Sequence, residues 1–167
     1  DLHLGEISLE CSRAGASAAA LWTTLRCLPL APDTGLGAIV ARGRDAALLW
    51  SELISEGPYF RLVVEPDLDI LALYPTPESS GATTASAISR LVDELFLAAE
   101  HDPQSPAFFA KLVVPQRLLA AHDPAIIWDQ PTVTVLRSVL MKPEHLSFVP
   151  ALNDTLVRQL TNIARTM

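Results

Sequence analysis

Thr132-Val133-Thr134-Val135-Leu136-Arg137-Ser138-Val139-Leu140-Met141-Lys142-Pro143 is the longest β-branched, apolar run of the chain. It alternates as a strand and stops at a proline. Residues two apart share a face of a strand, so Arg137 lies with Val133, Val135, Val139 and Met141. Thr134, Leu136, Ser138 and Leu140 form the opposite face. A guanidinium set among aliphatic side chains needs a carboxylate, a phosphate or carbonyls to pair with. No acid stands at strand spacing from Arg137. A structural arginine here would pair with an acid of the protein, and a functional one with a substrate carboxylate, bidentately.

Working outward, the segment from Tyr59 reads strand, strand, helix, strand, strand, helix. Tyr59 to Glu65 alternates, with Phe60, Leu62 and Val64 on one side. Pro66-Asp67-Leu68-Asp69 is a turn, and Ile70 to Tyr74 is the second strand. A flexible loop over Gly81 to Ala85 leads into a helix over about Thr84 to Glu100, with the stripe Ile88, Leu91, Val92 and Leu95. His101-Asp102-Pro103 ends it. Phe108 to Val114 is the third strand. An irregular connection, Pro115 to Gln130, carries Trp128, and Thr132 to Met141 is the fourth strand. Ser147 can cap a last helix with Pro150 in its first turn, and Leu152, Leu156, Leu160 and Ile163 form its apolar stripe. The pattern predicts an α+β fold, a mostly antiparallel sheet with helices on one face.

Residues 1–57 differ. Glu6 to Glu10 is a short strand candidate. Ser12 to Leu28 is a helix crowded with small residues, which suits close core packing or the border of a ligand site or subunit interface. A second helix runs from about Gly35 to Glu56 with the stripe Leu36, Val40, Gly43, Ala47, Trp50 and Ile54, and Gly57-Pro58 ends it. These elements lack the strands for a domain of their own. The sequence therefore divides at residues 57 and 58.

Composition narrows the function. Of 167 residues, 50% are hydrophobic and 19% charged, as in a folded globular protein. Net charge is -7 without a basic cluster, which argues against nucleic-acid binding. The longest uncharged run, Ala14 to Leu25, is too short to span a bilayer, which takes about 20 residues. Cys11 and Cys27 stand in apolar surroundings, so buried free thiols in a reducing cytoplasm are expected. His3, His101, His122 and His145 are scattered through loops and boundaries. Zinc, phosphate-loop and dinucleotide motifs are absent. Glu10-Cys11-Ser12-Arg13 lies where a strand hands over to a helix, a place that favours anions. Ser12 and Arg13 there either hold a phosphate or carboxylate, or cap the helix and pair with Glu10.

The order of these landmarks resembles the C-terminal part of the group II pyridoxal-phosphate-dependent decarboxylases, which act on aromatic amino acids, glutamate, tyrosine or 2,4-diaminobutyrate and have the aminotransferase-like fold. Ile7 to Arg13, followed by an Ala-rich helix with Leu21-Trp22, is similar to the family's strand ending in Gly/Ser-Arg and its next helix. Gly35-Leu36 opens the following helix as in the family. Ile70-Leu71-Ala72-Leu73-Tyr74 resembles a small-domain strand, and Leu136 to Pro143 resembles the family's Leu-Arg strand and the Asn-Pro after it, with Lys142 in place of that Asn.

The resemblance implies the end of the large cofactor domain over 1–57 and the small C-terminal domain over 58–167. It implies that Arg137 holds a substrate carboxylate and that Ser12 and Arg13 lie at the active-site rim. It implies a homodimer acting on an amino acid with pyridoxal 5'-phosphate (PLP), held mainly by an upstream portion of the same polypeptide. The family's Schiff-base lysine follows a histidine, and neither Lys111 nor Lys142 does. The chain by itself is therefore expected to be inactive, a fragment of a longer polypeptide. The alternative is a non-catalytic α+β module for small-molecule binding or dimerisation.

Overall fold

The computed structural model describes residues 15–166. The elements are α1 (Gly15–Cys27), α2 (Gly35–Glu56), β1 (Phe60–Leu62), β2 (Ile70–Pro75), α3 (Pro77–Ser80), α4 (Ala85–Glu100), β3 (Ala110–Pro115), α5 (Gln116–Leu119), β4 (Thr132–Val139) and α6 (His145–Thr166). The expected strand at Glu6 to Glu10 and the pair Ser12 and Arg13 lie outside the described residues.

Two compact units divide between Ala41 and Arg42. In the first, α1 buries none of its residues, and Trp22 is 66% exposed. This corrects the expectation of close core packing. A run of alanines offers little apolar area per residue, and the described part of its unit holds no sheet to lie on. Cys27 is exposed as well, not buried.

The second unit holds one four-stranded sheet in the order β1-β2-β4-β3, antiparallel throughout. Strand β4 is central, which is why aliphatic residues in and just after it are buried on both faces: Val133 and Val135 on one, Leu136 and the following Leu140 on the other. The stripe of α4 is buried as the period predicts, and so are Leu152, Leu156 and Leu160 of α6. Trp50 of α2 is fully buried, 6.2 Å from the Phe109 ring, and its Nε1 donates to Asn153 Oδ1 of α6 at 3.2 Å. Burying that indole together with its N–H partner fixes α2 against α6.

Local chemistry explains where the elements begin and end. Thr84 caps α4 through its hydroxyl, which accepts the Ala87 N–H. Ser89 of α4 then accepts the Thr134 N–H at 3.0 Å, at the level where β2 no longer pairs with β4. Strand β1 is shorter than the alternation suggests, and Val64 beyond it is exposed. The last helix starts at His145, two residues before the expected cap. Ser147 donates to the Glu144 carbonyl, and Pro150 sits inside the helix, beyond its first turn.

Candidate functional site: the arginine of strand β4

Antiparallel partners project to the same side of a sheet. Arg137 is paired with Ala72 on β2 and Ala110 on β3, so the guanidinium rises between two methyl side chains. Small neighbours leave room around it. The same face carries Arg61 and Tyr74, paired across β1 and β2, together with Val133, Val135 and Val114.

One end of this face is covered by the connection after β3. Asp123, in that connection, is 2% exposed. Its Oδ2 accepts from the Tyr74 hydroxyl and from Arg61 Nη1, each at 2.8 Å, and its Oδ1 accepts the Ala125 N–H. Burial pushes the Asp123 carboxyl up, but the bonds from Arg61, Tyr74 and Ala125 outweigh it and hold it below the usual carboxylate value. Burial first, and the hydrogen bond to Asp123 second, raise the Tyr74 phenol far above its ordinary value. Arg61 also reaches Glu78 at 3.1 Å. Its charge is thus matched within the protein.

Arg137 is not matched. Among the described residues it forms no ion pair, and its Nε is buried with no hydrogen-bond partner. The residue itself is half-buried, on the part of the face where Ile70 and Leu112 are exposed. A buried unpaired donor costs about 1–3 kcal/mol, more for a charged group. An arginine between two alanines at the edge of an open apolar face can take a carboxylate through its fork of N–H donors.

The lysines are placed differently. Lys111 is bound to Asp93 at 2.8 Å and lies over the Phe96 ring. Lys142 is exposed. No group of His, Cys, Asp or Glu among the described residues could hold a metal ion, and no described helix is long and apolar enough to cross a membrane.

Sequence reasoning missed the two buried aspartates. Asp102 accepts the Gln104 and Ser105 N–H groups at 2.8 Å each and Arg158 at 2.7 Å, and it also accepts from Gln159. The Arg158 bond first, and the Ser105 N–H next, hold it far below the carboxylate range. The signal was present: His-Asp-Pro occurs at 101–103 and again at 122–124. In both copies the aspartate turns the chain by accepting backbone N–H groups two or three residues on.

No family model matches the chain, and no curated protein matches it in sequence. Solved structures do match in fold. Oryza sativa TDC with PLP and tryptamine superposes with a TM-score of 0.64 at 14% identity, over 96% of this chain and 30% of that one. Oryza sativa TDC with PLP gives 0.61 at 16% identity, over 94% and 30%. The chain spans about 30% of the length of these neighbours. Its helices and four-stranded antiparallel sheet are the α+β fold expected from the sequence, shared with part of a PLP-bound protein.

Proposed function

We propose that the chain is the C-terminal portion of a PLP-dependent amino acid decarboxylase, comprising the end of the large domain and the small domain. It acts with an upstream portion, in a homodimer in the cytoplasm. Arg137 carries this reading: a positive charge on an open face, with no partner among the described residues, is what a substrate carboxylate requires. The fold shared with PLP-bound Oryza sativa TDC supports it.

The described residues do not form a seat for PLP. That cofactor needs a lysine for its aldehyde and an acidic or basic partner for its ring nitrogen. Lys111 is committed to Asp93, and Lys142 stands exposed after β4. When bound, PLP supplies the electron sink. The part of this chain is to grip and orient the carboxylate through the Arg137 guanidinium, and orientation is a large share of such catalysis. Ser12 and Arg13, outside the described residues, are proposed as active-site rim residues on the family resemblance alone.

The test joins the chain to its upstream portion, as one polypeptide or as a mixture, and measures PLP absorption and CO2 release from amino acids. Arg137→Ala should raise KM by about tenfold or more while PLP absorption is unchanged. Unchanged kinetics in that variant would remove the role given to Arg137. Failure of the joined protein to bind PLP would remove the decarboxylase reading.

A further inference from the structure

Strand β4 outruns β3: their pairing begins at Ala110↔Arg137, whereas β4 continues to Val139. A cavity of about 340 Å3 opens at this end. That size is at the lower end of the range for small-molecule sites, about 300–1,000 Å3. Arg137 does not line it, since it projects to the other face.

The cavity has a polar end and an apolar end. Ser138, on the helix-covered face of β4, is 7% exposed, lines the cavity, and has no hydrogen-bond partner for its hydroxyl among the described residues. Its oxygen is not sealed by protein but opens on the cavity, where it can donate to an acceptor. Val139 adds a second donor. The Leu140 N–H bonds to Asp69 on the β2 side, so by the alternation of an antiparallel strand the Val139 N–H faces the β3 side, beyond the last rung. Lys142 also lines the cavity and has no acidic partner among the described residues.

Helix α6, 22 residues long, directs its positive end here through His145 and Phe148. The Lys142 N–H donates to His145 Nδ1 at 3.4 Å, which leaves Nε2 of the neutral ring as a donor. No acid among the described residues lines the cavity. Glu144, the nearest in sequence, lines a separate one with Arg42. The opposite walls are Phe108, Met141, Phe148 and Leu152, and the first two are largely exposed.

The geometry points to a second ligand site at the end of β4, for a small monocarboxylate bearing an aromatic or bulky apolar group. The carboxylate accepts from Ser138 Oγ and pairs with Lys142 at the α6 N-terminus, and the apolar body lies between Phe108 and Phe148. The donors are one hydroxyl, one amide, one imidazole N–H and one ammonium, and the remaining walls are apolar, which suits a carboxylate with an apolar body. The site stands whether or not Arg137 binds substrate.

The test is amide NMR of the 167-residue chain titrated with 3-phenylpropionate, 3-phenylpropanamide and propionate. The acid should give saturable shifts at Ser138, Val139, His145 and Phe148, with Kd of about 1 mM or tighter. The neutral amide and the ring-less acid should each bind at least about fivefold more weakly. Lys142→Gln, at an exposed position, should bring acid binding down to the level of the amide. Ser138→Ala should weaken the acid further if it folds, and the lysine variant carries the test if it does not. Equal binding of acid and amide, shifts gathered at Ala110 and Arg137 instead, or no saturation would each overturn the site.

Discussion

The Tyr74 hydroxyl, on the second strand of the sheet, donates at 2.8 Å to the carboxylate of Asp123, 49 residues further along the chain. With Arg61 on the same oxygen, this bond fastens the connection after β3 over one end of the sheet and leaves the Arg137 end open. Asp123→Ala should therefore destabilise the fold by about 2–4 kcal/mol, because it strands a buried phenol and loosens a guanidinium together. Tyr74→Phe, which removes one bond and keeps the ring, should cost about 1 kcal/mol. Urea denaturation of the two variants measures both. Equal losses would mean that the Tyr74 bond accounts for the whole effect and that the Arg61 bond adds nothing.

Stability should fall at both pH extremes, for different residues. Asp102 and Asp123 have folded pKa values below their unfolded value of about 3.9. They bind fewer protons folded than unfolded, so their contribution is complete above that value and is lost as pH falls through the folded ones. Tyr74 is the reverse. Its folded pKa lies above the unfolded value of about 10, so its contribution is complete below pH 10 and is lost as pH rises through the folded value. Urea midpoints across pH should show a plateau with two falling limbs. Asp102→Asn should flatten the acid limb, and Tyr74→Phe the alkaline one.

Gly43 reverses a common rule. Glycine to alanine inside a helix ordinarily stabilises by about 1 kcal/mol. Here an added Cβ would stand 2.9 Å from the Leu140 carbonyl oxygen and 3.2 Å from the Asp69 side chain. The first contact is with backbone, where α2 crosses the end of β4. Gly43→Ala should instead cost about 1–3 kcal/mol, read from the thermal or urea midpoint.

Periodicity carried most of the fold because burial here follows secondary-structure spacing. Ile88, Leu91, Val92 and Leu95 are buried as their i, i+3, i+4, i+7 spacing requires, and Gly35–Glu56 has the bounds expected. The sequence was weaker wherever a backbone partner decided the outcome. Strand β4 ends at Val139 instead of Met141 because pairing, and not alternation, defines a strand. Helix α6 begins at His145 although Ser147 is the better capping residue, because the Lys142 carbonyl accepts the His145 N–H. Long-range polar partners were least legible. Nothing near Tyr74 or Arg61 in the sequence points to Asp123, and a cavity formed by Ser138 and Phe148 exists only once α6 lies beside β4.

Arg61 and Arg137 lie on the same face of the sheet, and their substitution separates structural from functional charge. Arg61 holds a buried carboxylate, so Arg61→Met should destabilise the chain by about 1–3 kcal/mol, since Asp123 keeps its charge and loses its cation. Arg137 has no partner among the described residues, and its Nε is buried without a bond. Arg137→Met replaces that guanidinium with an apolar side chain beside Ala72 and Ala110, and should change stability by less than about 1 kcal/mol or raise it. Urea denaturation of the two variants in parallel decides the matter. A loss at Arg137 as large as that at Arg61 would mean that the protein itself supplies the partner, and would take away the argument that this charge is kept for a ligand.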